Sequence, residues 1–83
     1  MKVRVRYFAS IREAVGQAGE SVETAAASVG SLRDELIARG GAHAESLARG
    51  KAVRVALDQL MADESQPLRE DCEVAFFPPV TGG

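Results

Sequence analysis

The sequence has 83 residues, of which 46% are hydrophobic and 27% are charged, and its formal net charge is −2. This length indicates a single domain whose core is too small to surround a buried catalytic cleft. The charge balance gives no reason to expect a nucleic-acid partner, and a lone cysteine, Cys72, excludes an internal disulfide and a four-cysteine zinc site.

A strand is the first predicted element, because apolar and charged residues alternate from the N-terminus. Its apolar residues are Val3, Val5 and Tyr7. This alternation is not typical of a signal peptide, and no apolar run approaches the roughly 20 residues that cross a bilayer. We therefore expect a cytoplasmic protein with no membrane partner.

A short helical segment is predicted over residues 10–15, followed by Gly16 and Gly19, which are interpreted as hairpin turn residues. Residues 21–24 alternate again and predict a second strand in a hairpin with the first.

The main helix is predicted next, because apolar residues recur there at helical spacing. These residues are Val29, Leu32, Leu36 and Ile37. Ser28 and Ser31 both fit as the N-cap, and the Gly40-Gly41 pair ends the helix. The charged residues from Arg33 to Glu35 fall off the apolar face.

Residues 42–49 have helical propensity but little apolar face, so a surface turn or short helix is expected there. Three further strands are predicted at 53–57, 60–61 and 73–77. Leu68 is expected to close the edge of the core. Pro78-Pro79 ends the last strand, because proline cannot continue the hydrogen-bonded ladder.

The order of these elements predicts an α+β fold of the ubiquitin-like β-grasp type. One main helix would cover one face of a mixed sheet, with the first and last strands parallel and adjacent. A ferredoxin-like fold is the alternative, but it needs a second full helix, for which residues 42–49 are a poor candidate. The β-grasp domain is expected over 1–77 and a flexible tail over 78–83. The predicted core is Val3, Val5, Leu32, Leu36, Val55, Leu57, Val74 and Phe76.

Most polar residues of the chain support no specific chemistry. His43, the single histidine, is predicted to be a solvated loop side chain, and Cys72 to be a structural or incidental thiol. No Ser-His-Asp or Cys-His arrangement is indicated. A basic stripe of Lys2, Arg4, Arg6 and Arg54 is interpreted as a solvated sheet face.

Two phenylalanines are more informative than the polar residues. Alternation turns Phe8 and Phe77 away from the face that the helix covers, and adjacent first and last strands would bring them together. Exposed neighbouring aromatic rings are typical of a docking surface. We predict a partner interface built on this pair and Met61, with Arg12 at its rim.

The chain ends in small residues after the two prolines. Val80, Thr81, Gly82 and Gly83 would form a slim tip that fits a narrow channel in another protein. A terminal Gly-Gly alone, however, is better explained as a frayed end.

Both ends of the sequence resemble a known family. Residues 74–83, VAFFPPVTGG, and residues 5–13, VRYFASIRE, are similar to the molybdopterin synthase small subunits. These are ubiquitin-like sulfur carriers of molybdenum cofactor synthesis, related to the thiamine sulfur carrier.

The resemblance implies a carrier subunit that is not itself catalytic. A ubiquitin-activating-like adenylyltransferase, using ATP and magnesium, would adenylate the carboxylate of Gly83, and sulfur from a donor protein would replace AMP to give a thiocarboxylate. The tail, with Pro79, Val80, Thr81 and Gly82 bound in a channel, would then donate sulfur to cyclic pyranopterin monophosphate within the synthase large subunit.

The resemblance also implies a heterotetramer, because two sulfurs are needed per product and a large-subunit dimer would hold one carrier at each end. This chain would bind no cofactor and no metal. A sulfur carrier of another pathway, a ubiquitin-like protein modifier and a plain interaction domain remain as alternatives.

Overall fold

The computed structural model describes residues 1–79. Five strands and three helices follow one another in these residues: β1 Lys2–Tyr7, α1 Ala9–Val15, β2 Gly19–Glu23, α2 Val29–Ala38, α3 Gly41–Leu47, β3 Arg54–Leu57, β4 Leu60–Ala62 and β5 Glu73–Phe77.

The strands form one mixed sheet in the order β2-β1-β5-β3-β4. β1 and β5 are parallel neighbours, with Val5 opposite Val74 and Tyr7 opposite Phe76, and all other pairs are antiparallel. The predicted α+β β-grasp architecture is therefore confirmed. The predicted domain boundary at residue 77 coincides with the end of β5, while the division of 78–83 as a separate tail stays a prediction.

The helices lie on one face of the sheet, called the covered face. Its strand residues are Val3, Val5, Tyr7, Val22, Val55, Val74 and Phe76, all buried. Leu32 and Leu36 of α2 pack on them with 0% and 1% exposure, and Leu68 closes the edge as predicted. Seven of the eight predicted core residues are buried, and Leu57 is half-buried against them. Burial of each large side chain here stabilises the fold by about 1.5–3 kcal/mol.

Helix α2 begins at a single well-defined cap. The Ser28 hydroxyl accepts the backbone N–H of Ser31 at 3.2 Å, which identifies Ser28 as the N-cap. The predicted outward position of Arg33 is wrong, since only 4% of the residue is exposed. Its guanidinium donates to the carbonyls of Leu47 and Ala48, both at 2.8 Å, and therefore binds the C-terminal end of α3 to α2.

The short helix expected over residues 42–49 is confirmed as α3, Gly41–Leu47, but its predicted surface position was wrong, because it contributes to the core. Leu47 is completely buried, and α3 packs against both α1 and α2. One large apolar residue at the end of a short helix leaves too weak a periodic signal to be recognised. Gly40 and Gly41, with φ of 78° and 56°, make the sharp turn between α2 and α3 that permits this packing.

The first two strands are joined through α1 rather than by a simple turn. Gly16 ends α1 in the left-handed conformation, with φ of 86°, and its N–H donates to the Arg12 carbonyl. Gly19 is already the first residue of β2, where a Cβ would lie 2.7 Å from the Val5 carbonyl oxygen. The interpretation of Gly16 and Gly19 as hairpin turn residues was therefore wrong: Gly16 ends a helix, and Gly19 permits the close approach of β2 to β1.

Candidate functional site

The other side of the sheet, called the open face, has no helix on it among residues 1–79. It carries Arg4 and Arg6 of β1, Arg54 and Ala56 of β3, Met61 of β4, and Glu73, Ala75 and Phe77 of β5. The predicted aromatic pair lies at one end of this face. The rings of Phe8 and Phe77 are 6.5 Å apart and nearly perpendicular, and Phe8 is 39% exposed. Their predicted adjacency is confirmed, whereas their role in docking stays a prediction.

The two other predicted interface residues, Met61 and Arg12, belong to different elements, β4 and α1. Met61, 61% exposed, is opposite Ala56 on the open face. Arg12 is exposed on α1, and its backbone N–H donates to the Phe8 carbonyl at 3.2 Å. The backbone of Arg12 is therefore next to that of Phe8, and Met61 is two strands away from Phe77, while the role of both residues in the interface stays a prediction.

The basic stripe divides into two environments. Arg4 lies within reach of Asp71 at 3.6 Å and Glu73 at 4.0 Å. Arg6 instead holds its guanidinium carbon 5.4 Å from the centre of the Phe8 ring, a cation–π distance. Arg54 is opposite Phe77 in the register. Arg6 is thus associated with an aromatic ring, and Arg54 lies opposite the other aromatic residue in the strand register.

The predicted tail begins directly at the aromatic pair, because Phe77 is the last residue of β5. Pro79 is half-buried and lies outside any helix or strand. The predicted channel-binding residues Val80, Thr81 and Gly82, and the predicted reactive residue Gly83, lie outside the described residues.

His43 is not a solvated loop side chain, and this prediction was wrong. It lies in α3 with 16% of its side chain exposed, and its Nε2 is 3.1 Å from a carboxylate oxygen of Glu20. Glu20 also accepts the Tyr7 hydroxyl at 2.7 Å and the Arg39 guanidinium at 2.8 Å. The partner on β2 is 23 residues from His43 in sequence, so no local pattern could have indicated the contact.

The pKa values in this cluster follow from its contacts. Partial burial favours protonated Glu20, but the hydrogen bonds from Arg39, Tyr7 and His43 outweigh it and hold the pKa of Glu20 below its usual value. Burial first, and the neighbouring carboxylate second, raise the pKa of Tyr7. The tyrosine therefore stays a neutral donor to an ionised carboxylate. Through these hydrogen bonds the cluster links β1 and β2 to α3 and to the end of α2.

Three further features of residues 1–79 bear on the predicted chemistry. Cys72 is 4% exposed and packs within the core, in agreement with its predicted structural role. Residues 1–79 contain no group of three or more His, Cys, Asp or Glu side chains arranged to hold a metal ion. None of the helices in the described part of the chain is both long and apolar enough to span a membrane.

Two relatives match nearly the whole chain. The molybdopterin synthase sulfur carrier subunit of Escherichia coli (strain K12) is 38% identical over 81 residues, covering 98% of this chain and 99% of the relative. The protein of the same name from Haemophilus influenzae is 35% identical with the same coverage.

Solved structures share the fold over similar lengths. A putative molybdopterin converting factor subunit 1 from Pyrococcus furiosus has a TM-score of 0.79 and 27% identity, covering 96% of this chain and 99% of that one. A complex of molybdopterin-converting factor subunits 1 and 2 from Helicobacter pylori has a TM-score of 0.71 and 26% identity, covering 100% of this chain and 100% of the matched chain. SAMP1 from Haloferax volcanii gives 0.78 and 25%, also with full coverage.

The ThiS family matches residues 5–83, a range that includes β5, the aromatic pair and the end of the sequence. Together with relatives that align over almost their entire length, this match shows that the chain belongs to the ThiS family.

Proposed function

We propose that this protein is the sulfur carrier subunit of a molybdopterin synthase and works in the cytoplasm. The observation that carries the proposal is the 38% identity, over almost the whole of both chains, to a protein named for this role. The open face supports it, because an exposed aromatic pair at the base of the C-terminal segment suits a subunit that must dock on another protein.

The proposed chemistry takes place on the carboxylate of Gly83. This group is ionised at neutral pH, since its pKa is about 3.5, and an ionised carboxylate is a poor electrophile. Attack of its oxygen on the α-phosphate of ATP, in a partner adenylyltransferase that holds magnesium, releases pyrophosphate and leaves an acyl adenylate. A donor protein then supplies sulfide, which attacks the acyl carbon and displaces AMP, so that the product is a thiocarboxylate.

The thiocarboxylate sulfur is proposed to bond to a carbon of cyclic pyranopterin monophosphate in the synthase large subunit. Water then cleaves the bond between this sulfur and the Gly83 carbonyl carbon, which restores the carboxylate and leaves the sulfur on the pterin. Gly82 and Gly83 add no side-chain bulk near the reacting atom, and Pro79, Val80 and Thr81 are proposed to bind the channel wall in extended form. Phe8, Phe77, Met61 and Arg12 are proposed as the docking surface. The Helicobacter pylori complex of subunits 1 and 2 supports a two-subunit assembly.

A ubiquitin-like modifier joined to protein lysines through Gly83 is the second candidate. The fold match to SAMP1 of Haloferax volcanii, a small archaeal modifier protein by name, favours it. The two functions share the activated C-terminus and differ in its product: a thiocarboxylate for the carrier, and an amide to a lysine for the modifier.

Intact mass of the protein purified from its native host distinguishes these functions. Replacement of one oxygen by sulfur adds about 16 Da, whereas a modifier appears joined to other proteins. The same measurement establishes whether Gly83 ends the mature chain. A mass that never changes, in cells that actively make the cofactor, contradicts the carrier function.

Deletion of Gly83 tests the reacting position itself. The shortened chain should fold normally and bind the large subunit, but its carboxylate would lie about 3.5 Å from the required place. A misplacement of 1 Å can cost on the order of 100-fold in rate, so sulfur transfer should be lost. The assay is product formation with adenylyltransferase, ATP, sulfide, large subunit and cyclic pyranopterin monophosphate. Wild-type rates from the deletion variant would disprove the proposed role of Gly83.

A further inference from the structure

The open face contains a recess in the middle of the sheet. Its volume is about 370 Å³, and its floor is formed by Ala56 and Ala75, which are opposite each other on β3 and β5. Its remaining lining is Phe8 and Phe77 at one end, and Gln59 and Glu73 at the other.

The recess exists because two small residues occupy adjacent positions in the interior of the sheet. Interior strand positions favour β-branched and aromatic residues, and alanine is depleted there. On the covered face the neighbouring positions follow this preference, with Val55 opposite Phe76 and Leu57 opposite Val74. The alanines therefore leave an open depression between taller neighbours on this face of the sheet.

The charges around this recess are one-sided near the aromatic pair. Arg6 is opposite Ala75 and reaches over the Phe8 ring, and Arg54 is opposite Phe77. Within residues 1–79 neither guanidinium forms an ion pair, whereas Arg4 on the same face is close to two acidic side chains. The chain as a whole has a formal charge of −2, so this positive region is a local feature.

We infer that the recess receives one apolar side chain of a protein partner, and that carboxylates beside that side chain pair with Arg6 and Arg54. An apolar anchor in a central pocket gives affinity, while charges at its rim set association rate and specificity. The inference rests on the proposed function, because that function identifies the partner as the synthase large subunit.

The apolar half of the inference is tested by filling the recess. Ala56→Leu adds bulk at a half-buried strand position outside the core, so the variant should fold. It should weaken binding of the large subunit by about tenfold or more, because the partner side chain loses its place. Ser21→Leu is the matched control, since Ser21 is exposed on β2 opposite Arg4, away from the recess, and should bind like wild type.

The charged half is tested by reversal of charge. Arg6→Glu and Arg54→Glu should each weaken binding about tenfold or more and reduce its dependence on ionic strength. Lys2→Glu is the matched control, because Lys2 is an exposed base on β1, on the same face, but lies far from the aromatic pair in the register. It should change the affinity much less.

Titration calorimetry with purified large subunit, at two salt concentrations, measures all these variants. Wild-type affinity of Ala56→Leu would overturn the insertion of a side chain, and equal effects of Arg6→Glu, Arg54→Glu and Lys2→Glu would overturn the specific charge pairing. Failure of the wild-type chain to bind would instead overturn the proposed function and, with it, the named partner. A thermal melt of each variant confirms that the fold is retained.

Discussion

The two faces of the sheet are built from the same strands but differ in how far their apolar residues are buried. On the covered face Val3, Val5 and Tyr7 are at most 1% exposed and hold the helices in place. On the open face Phe8 and Met61 are 39% and 61% exposed, although both are large and apolar. Burial of apolar surface on the first face stabilises the fold, whereas apolar surface left exposed on the second remains available for a partner. Substitutions on the two faces should therefore affect different measurements.

Truncation of the core should have the largest effect. Leu36→Ala removes a side chain that is 1% exposed at the centre of α2 and should cost about 2–5 kcal/mol in the free energy of unfolding. Ile37→Ala, at the neighbouring half-buried position, should cost less. Denaturant melts measure both. A near-neutral Leu36→Ala would contradict the role of α2 as the main cover of the sheet.

The alternation that separates the two faces is a local property of the sequence, which explains why it could be predicted. Val5, Phe8 and Phe77 were assigned to the correct faces because neighbouring strand residues must point in opposite directions. The pairing of β1 with β5 was also recovered, since both strands lie near the ends of a chain with one main helix between them. The proposed reactive role of Gly83 rests on resemblance, because two glycines alone indicate no chemistry, and it stays a prediction.

The buried polar contacts could not be predicted, because their partners are distant in sequence. Arg33 was assigned to the solvent by its position on the helix, yet it binds Glu64, which is 31 residues away. His43 was assigned to a loop, yet it binds Glu20 across the fold. Helical periodicity describes which side of a helix a residue occupies, but it does not reveal that another segment folds over that side.

Loss of an aromatic ring on the open face should affect binding rather than folding. Phe77→Ala should weaken large-subunit binding by about 2–4 kcal/mol, because aromatic anchors at an interface centre contribute most of the affinity. Its melting temperature should stay close to that of wild type. Leu60→Ala is the control, since Leu60 is 74% exposed but opposite Leu57, away from the open face, and its truncation should leave binding unchanged. A sharp fall in the melting temperature of Phe77→Ala would mean that this residue belongs to the core.

Two arginines that share one carboxylate test how burial changes the contribution of an ion pair to the free energy of unfolding. Arg33 and Arg49 both pair with Glu64, but their side chains are 5% and 46% exposed. Arg33→Ala should cost about 2–3 kcal/mol, because it leaves the carbonyls of Leu47 and Ala48 without their donor. Arg49→Ala should cost about 1 kcal/mol or less, as is usual for exposed pairs. Equal losses in denaturant melts would show that the buried contacts carry no extra weight.

The smallest effect is expected in the turn between β3 and β4, which borders the open face. Asp58 and Gln59 form this two-residue turn with φ of 49° and 70°, a left-handed geometry that favours glycine. Gln59→Gly should relieve about 1–2 kcal/mol of backbone strain and lose about 0.5–1 kcal/mol to greater freedom of the unfolded chain, so a net gain of about 0.5–1 kcal/mol is expected.

Asp58→Gly relieves similar strain and supplies the contrast. The Asp58 carboxylate accepts the Glu73 N–H and the Arg69 guanidinium, both at 2.9 Å, and the backbone N–H, followed by the arginine, holds its pKa below the usual value. Glycine at this position would lose both contacts, so this variant should be less stable than Gln59→Gly in the same thermal melt. Equal stability of the two variants would mean that local backbone geometry alone determines this turn. The hydrogen bond between Asp58 and β5 would then contribute nothing to the stability of the fold.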